Sequence, residues 1–404
     1  MSGTNLFQPM RVGRMALQHR VVLAPLTRYK STKKEHIPIV RLMSEYYGQR
    51  ANRSGSLLIT EATVIAPQAG GFDNVPGIWS ETQVAAWREV SVCINFRLPP
   101  PHASSILKFT PHVRQVVDGV HQRGSFIYLQ IWALGRVADP AILRLEGYPY
   151  VAPSAIKLDS KAESPRPLSL EEIQEYIQLF GNAADNAVAA GFDGVEVQGS
   201  NGYLIDQFLQ DVSNQRTDEY GGSIQNRSRF ALEVIKEVAR VVGEDRTAVR
   251  LSPWNTYQSK LLSVAKKTLS KITYINYVDM GMNDPIPQYT HFVNELKAAH
   301  PGLAYLHVVE PDLAHSHRRM KEDTESNDFI RKIWYPRSLI TTGGYTRDSA
   351  LARSKKHENE LIAFGKNYIS NVSILCGNPS KYPSLILSSQ TFQIALNSIK
   401  PLRH

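Results

Sequence analysis

Eight apolar runs of strand length recur along the 404-residue chain, and a helical pattern follows most of them. Each run is nearly continuous in apolar residues, which is typical of parallel strands buried on both faces. The eight runs cover 21–28, 56–63, 125–132, 192–199, 246–253, 303–310, 338–345 and 361–368. This repeat predicts a TIM (β/α)8 barrel. A doubly wound sheet is the alternative, although it rarely reaches eight units in one domain.

Two long amphipathic stretches between these runs predict helices. The first covers 169–191, with Ser169 placed as an N-cap ahead of Glu171 and Glu172, and it ends at Gly191. The second covers 226–243 and has the same 3.6-residue spacing of apolar positions. Both are the kind of helix that packs one face against a sheet.

The net charge of +9 is concentrated in three segments. Segments 90–115, 259–279 and 372–404 each carry a net charge of +3, and the remaining residues are neutral together. Because the excess charge forms no continuous basic face, nucleic acid is excluded as a partner. The same segments contain both cysteines, Cys93 and Cys376, which are too few for a metal site or a disulfide framework.

The sequence predicts a cytoplasmic protein with no membrane association. It contains no apolar run of about 18 residues, the minimum for a transmembrane helix. Its N-terminal stretch "MSGTNLFQPM" lacks the basic and then apolar pattern of a signal peptide.

Polar residues lie at the C-terminal ends of several of the predicted strands, where chemistry collects in a barrel of this kind. Any one of them alone is more simply a loop residue or a satisfied buried group, but their position on one rim favours a functional site. They are Thr27, Gln130, Trp132, Gln198, Asn201, Tyr203, Arg250, Gly343, Gly344 and Lys366.

The ends of the last two predicted strands have the composition of a phosphate site. Gly343 and Gly344 follow strand seven, and Gly365 and Lys366 follow strand eight. In this barrel, the backbone N–H groups and a cation at these two positions commonly bind phosphate. The alternative is a tight turn beside a solvated lysine.

Several blocks of the sequence resemble the Old Yellow Enzyme family of FMN-dependent ene-reductases, here of a fungal type. The most specific blocks are "GYLIDQF" and "TDEYGGS", and "LFQPMRVGRMALQHRVVLAPLTR", "LQIWALGR" and "AFGKNYISN" add to them. The resemblance covers roughly 5–371 apart from two interruptions. It implies one FMN-binding barrel domain over 1–404, with an N-terminal β-hairpin that caps the barrel.

The family resemblance also implies a reaction. NAD(P)H, usually NADPH, reduces the flavin, which then passes a hydride to the β-carbon of a small α,β-unsaturated carbonyl compound, and a tyrosine protonates the α-carbon. Fungal relatives serve general enone reduction or secondary-metabolite pathways, including ergot-alkaloid aldehyde processing. The sequence does not indicate the oligomeric state.

The residues that match the family's motifs receive roles by this resemblance. The cofactor-binding residues are Thr27 at the flavin O4 edge, Gln130 and Arg250 at the pyrimidine side, and Gly343, Gly344, Gly365 and Lys366 at the phosphate. The catalytic and substrate-binding residues are Tyr203 as the proton donor, Gln198 and Asn201 as the carbonyl-binding pair, and Trp132 in the pocket wall.

Two of these positions depart from the family pattern. Gln198 stands where the family has a histidine, and a glutamine never carries the positive charge that a histidine can. Lys366 stands where an arginine is usual, so the bidentate contact to phosphate is lost and weaker FMN binding is expected. An impaired or inactive homologue, or a flavin-bound isomerase, is therefore the alternative function. A third function class, a pure scaffold or interaction protein, has no support in the sequence beyond the three basic segments.

The three basic segments do not fit the family pattern. Segment 90–115 contains three consecutive prolines and interrupts a predicted helix that becomes continuous when Glu89 is joined to Val116. Segment 259–279 is an irregular insertion after strand five, and 372–404 is a divergent C-terminal tail. Our hypothesis is that they are translated introns or errors of gene annotation, and the alternative is a substrate lid or partner arm. We therefore expect a chain of low stability that binds FMN weakly.

Overall fold

The computed structural model describes residues 4–89, 120–254, 280–311 and 325–370. The hypotheses on 90–115, 259–279 and 372–404, and on the helix that would continue past Glu89, fall outside these residues. The described residues form one barrel, as predicted. The assignment of 1–404 to a single domain stays a prediction.

All eight predicted barrel strands are present, although each is shorter than its apolar run. The strands, numbered in chain order, are β1 (Met10–Val12), β2 (Met15–Leu17), β3 (Val21–Leu23), β4 (Leu57–Ile59), β5 (Thr63–Val64), β6 (Phe126–Trp132), β7 (Val151–Ala152), β8 (Arg166–Pro167), β9 (Gly194–Gly199), β10 (Thr247–Leu251), β11 (Tyr305–Val309), β12 (Leu339–Thr342) and β13 (Glu360–Phe364). The closed parallel barrel has the order β3-β4-β6-β9-β10-β11-β12-β13, and β13 pairs with β3. The predicted TIM barrel is confirmed.

Helices connect the strands and cover the outside of the barrel. Those of the described residues are α1 (Val40–Arg50), α2 (Glu81–Glu89), α3 (Pro140–Leu145), α4 (Leu170–Ala189), α5 (Leu204–Leu209), α6 (Ile224–Val242), α7 (Ile286–Ala299), α8 (Asp328–Trp334), α9 (Arg347–Lys356) and α10 (Lys366–Ser370). Among these helices, none combines the length and the apolar character that crossing a bilayer requires.

The two helices predicted from amphipathic spacing have clear end signals. Ser169 caps α4, because its hydroxyl accepts from the N–H of Glu172 at 3.2 Å and the Glu172 carboxylate accepts from the N–H of Ser169 at 2.9 Å. Helix α6 starts two residues before the predicted position, after the N-cap Ser223. It ends at Gly243, whose φ of +94° favours glycine.

The antiparallel hairpin β1–β2 closes one end of the barrel, as the family resemblance predicted. Val12, Met15 and Leu17 are buried and pack in one apolar cluster with inward-facing residues of the barrel, among them Tyr128 and Ala248. Removing these side chains from water stabilises the closed end by about 25 cal/mol per Å² of apolar surface. A ligand site therefore has to open at the other end, where the strands terminate.

Candidate active site

A pocket of about 510 Å³ lies at the C-terminal end of the barrel strands. The structure brings every residue predicted for the site to its wall: Thr27, Gln130, Trp132, Gln198, Asn201, Tyr203, Arg250, Gly343, Gly344, Gly365 and Lys366. Other lining residues that the sequence did not single out include Ala62, Tyr345 and Asn367. The volume is in the range of cofactor and ligand sites.

One end of the pocket has the backbone of an anion cradle. Gly343 and Gly344 follow β12 with φ values of +150° and +78°, which favour glycine. A Cβ atom at Gly343 would lie 2.8 Å from the Cβ atom of Glu310, so no other residue fits there without a shift of the chain. Lys366, at the start of α10, adds an exposed cation to the same wall. These groups fit a phosphate.

Polar side chains from the inner face of the barrel form the floor of the pocket. Gln130 lies on β6 and Arg250 on β10, and both are buried residues that line the pocket. The amide Nε2 of Gln130 donates to Glu196 at 2.7 Å, which leaves its carbonyl oxygen for the pocket. An amide acceptor beside a guanidinium donor suits the N–H and carbonyl groups of a flavin pyrimidine ring. The residues present therefore fit FMN.

The loop after β9 carries the predicted carbonyl-binding pair. The hydroxyl of Ser200 donates to Oε1 of Gln198 at 2.6 Å, so the amide nitrogen of Gln198 remains for the pocket. Asn201 has a φ of +60°, a conformation that asparagine tolerates better than most residues. Its backbone N–H donates to the hydroxyl of Ser252 at 2.8 Å. This contact ties the loop to the residue that follows β10.

Asp206 holds this loop from below, and sequence reasoning did not select it. Its buried carboxylate accepts from the N–H of Gly202 and the hydroxyl of Tyr289, both at 2.8 Å, and from Gln210 at 3.0 Å. Burial raises the pKa of Asp206 to about 6, although these hydrogen bonds oppose the shift. A carboxylate in an apolar helix, within "GYLIDQF", was the signal that could have identified it.

Aromatic contacts fix the wall that carries Tyr203. The ring of Trp132 meets the ring of Tyr203 edge to face, with centroids 4.4 Å apart and an interplanar angle of 68°. Phe72 meets Trp132 edge to face at 6.2 Å. Tyr203 is also the N-cap residue of α5, so the start of that helix fixes its backbone. Each edge-to-face pair of this kind contributes about 0.5–1.5 kcal/mol of stability beyond that from the buried apolar area.

The barrel, the glycine cradle and the polar floor together define an FMN-binding TIM-barrel oxidoreductase. Comparison with known proteins identifies the family. The model of the NADH:flavin oxidoreductase / NADH oxidase family matches residues 5–95 and 109–376. The chain belongs to this family, to which the resemblance to the Old Yellow Enzymes had pointed, and its cofactors are FMN and NAD(P)H.

Individual relatives and a solved structure agree with this assignment. The chain is 41% identical over 377 residues to the chanoclavine-I aldehyde reductase fgaOx3 of Penicillium roqueforti (strain FM164), covering 91% of this chain and 87% of that protein. It is 40% identical over 380 residues to the probable inactive reductase easA of Epichloe festucae var. lolii, covering 92% and 87%. The Old Yellow Enzyme from Pichia sp. AKU4542 has a similar structure, with a TM-score of 0.74, 34% identity and coverage of 92% and 86%.

Proposed function

We propose that this chain reduces the C=C bond of a small α,β-unsaturated aldehyde or ketone of fungal secondary metabolism, with NAD(P)H as the reductant. The observation that carries this proposal is the orientation of Gln198. Because Ser200 occupies its amide oxygen, Gln198 offers an N–H donor to the pocket beside Asn201. The aldehyde reductase named above, similar over most of both chains, supports this substrate class.

Four residues of the pocket have roles in the proposed reaction. FMN, when bound, supplies the hydride chemistry. Gln198 and Asn201 donate hydrogen bonds to the substrate carbonyl oxygen, which gains negative charge as the C=C bond is reduced. Tyr203 donates a proton to the α-carbon. Trp132 packs against the Tyr203 ring and so limits where that ring can lie.

The phosphate and the pyrimidine ring of the cofactor have their own residues in this proposal. Gly343, Gly344, Gly365 and Lys366 hold the phosphate, because they combine open backbone with a cation. Gln130 and Arg250 hold the pyrimidine side from the barrel floor, and Thr27 holds its edge. The cytoplasmic location expected from the sequence stays a prediction.

A second function is a flavin-bound protein that does not reduce the substrate. The observation in its favour is that the carbonyl-binding pair contains a glutamine in place of the family's histidine, together with the relative named a probable inactive reductase. Such a protein could isomerise a bound substrate or only bind it. The two functions differ in whether an enone reoxidises the reduced flavin.

Anaerobic spectroscopy of the purified chain tests the proposal. NADPH should bleach the flavin absorbance, and 2-cyclohexenone or an α,β-unsaturated aldehyde should then restore it. The variant Tyr203→Phe should be bleached normally but reoxidised about 10²-fold or more slowly, because the proton donor is missing. Bleaching without reoxidation by either compound would support the second function.

A further inference from the structure

A buried carboxylate lies directly under the floor of the pocket. Glu196, on β9, is fully buried and lies between Gln130 of β6 and His307 of β11. Its Oε1 accepts from Nε2 of Gln130 at 2.7 Å, and its Oε2 lies 2.9 Å from Nδ1 of His307. Glu196 itself is absent from the pocket wall, so it acts through its neighbours.

The contact with Glu196 determines which end of the Gln130 amide faces the pocket. An ionised carboxylate only accepts hydrogen bonds, so Gln130 has to donate its N–H2 group to it. The carbonyl oxygen of Gln130 then faces the pocket. Among the groups of a flavin pyrimidine ring, an acceptor at this point suits the ring N–H and disfavours the carbonyls on either side.

The groups around Glu196 favour its ionised form. Burial alone would raise the pKa of Glu196, but the hydrogen bonds from His307 and Gln130 and the positive charge of Arg250 outweigh burial, and the pKa is lowered. Burial lowers the pKa of His307, so His307 is neutral and donates from Nδ1. The negative charge of Glu196 therefore offsets the positive charge of Arg250 within the barrel.

We propose that Glu196 is a positioning residue that sets the affinity and the reduction potential of the bound flavin. It does so by holding the amide of Gln130 with its oxygen towards the pocket and by offsetting the charge of Arg250. This inference rests on the proposed contacts of Gln130 and Arg250 with the flavin. It assigns a function to a carboxylate that the proposed reaction does not use.

The variant Glu196→Gln tests both effects without an enone. Its FMN dissociation constant should rise about ten-fold, because the amide of Gln130 is no longer held in one orientation and a buried partner is lost. The flavin that does bind should have a higher midpoint potential, since less negative charge then opposes that of Arg250 and the anionic reduced flavin is stabilised. Isothermal titration and a dye-coupled reductive titration measure these two quantities.

Glu360→Gln is the matched control. Glu360 is a buried carboxylate on β13 of the same barrel, and it accepts from Nε of Arg331 at 2.6 Å. It does not line the pocket, so its variant should keep the wild-type potential. A folded Glu196→Gln protein with unchanged FMN affinity and potential would overturn the proposal.

Glu196→Asp decides the question if Glu196→Gln does not fold. The aspartate keeps the charge but is too short by one methylene group to hold Gln130. Its FMN affinity should fall while the potential stays near that of the wild type, and unchanged affinity overturns the proposal. Neither quantity requires turnover, so a wild-type chain that fails to reduce an enone would contradict only the proposed function.

Discussion

The direction of the Gln198 side chain decides whether a glutamine can serve where the family has a histidine. A donor removed from a developing oxyanion costs about 10²–10³-fold in rate. Here Ser200 holds the amide oxygen at 2.6 Å, and both residues are buried. The amide nitrogen is therefore aimed at the pocket, so we expect the substitution to cost the reaction less than the complete loss of a donor.

Ser200→Ala tests whether this orientation matters. Without the hydroxyl, the Gln198 amide can turn its oxygen to the pocket, where it would repel a carbonyl oxygen. We expect the rate of flavin reoxidation by an enone to fall about ten-fold, with FMN affinity unchanged. Stopped-flow absorbance measures the rate. Ser228→Ala is the control, because Ser228 is an equally buried serine on α6 that bonds Ile224 and Gln288.

Gln198→His should increase enone turnover in flavin-loaded protein. A protonated histidine adds positive charge next to the oxygen that becomes negative, and we expect a gain of about ten-fold. Steady-state kinetics at equal flavin content measures it. Should no gain follow, the glutamine is not what limits the rate, and the cause would lie outside the loop after β9.

The loop between β9 and α5 depends on a single carboxylate for its shape. Asp206 accepts from the N–H of Gly202, and its other oxygen accepts from Tyr289 of α7. Ser252, after β10, bonds Asp206 at 3.4 Å and accepts from the N–H of Asn201. Two strand ends and two helices are thus joined beneath the residues proposed to bind the substrate carbonyl.

The titration of Asp206 makes this connection sensitive to pH. Its pKa rises from 3.8 to about 6 on folding, so the folded protein binds this proton more tightly than the unfolded chain. The resulting stabilisation is complete below pH 3.8 and is lost as the pH rises through about 6. At roughly 1.4 kcal/mol per pKa unit, the loss amounts to about 3 kcal/mol.

Asp206→Asn should abolish this part of the pH dependence. An asparagine resembles the protonated acid but does not titrate, so the free energy of unfolding of the wild type relative to Asp206→Asn should fall by about 2.4 kcal/mol between pH 4 and pH 7. Urea unfolding at several pH values measures this difference. Asp211→Asn, which changes an exposed carboxylate just beyond the same helix, should follow the wild type. A constant difference between the wild type and Asp206→Asn would show that Asp206 does not titrate in this range.

The strands and the capped helices could be predicted because their signals are local. Each barrel strand is buried on both faces, so its sequence is a nearly continuous apolar run. Ser169 and Gly243 mark helix ends by their own side-chain and backbone preferences. The strand bounds were less accurate, because hydrogen-bond pairing with the neighbouring strands, and not apolar composition, determines where a ladder ends.

The site could be predicted only where a residue lies near or just beyond the C-terminal end of a strand. The rule that chemistry lies at strand ends selected residues such as Gln130 and Arg250, and the structure brings them to one pocket. Glu196 was not selected, because it lies deeper in its strand, two residues before Gln198. Its partners Gln130 and His307 are 66 and 111 positions away along the chain, and only the register of the closed barrel brings them together.

The two ends of the barrel differ in role and in composition: the N-terminal end is closed and apolar, and the C-terminal end is open and polar. The hairpin and the apolar residues behind it fill the N-terminal end. Buried polar residues begin one layer above, with Gln130 and Glu196 paired in register on neighbouring strands. Burying polar groups at the open end costs free energy of folding. The apolar surface buried at the closed end offsets this cost.

Removing segment 90–115, so that Glu89 is followed by Val116, should stabilise the protein. Helix α2 reaches Glu89 in the structure, and the joined sequence predicts that it continues to Gly124. We expect the Tm to rise by about 1 °C or more, equivalent to roughly 1 kcal/mol, together with a higher FMN content. Differential scanning calorimetry and the ratio of flavin to protein absorbance measure these changes.

A version in which a glycine–serine linker of equal length replaces 90–115 is the matched control. If the segment only interrupts the helix, the linker version should behave like the full chain, and only the joined version should gain stability. If the segment is a substrate lid, both versions should lose enone turnover while they keep their flavin. A joined version with lower Tm and lower flavin content would contradict the hypothesis that 90–115 does not belong to the folded barrel.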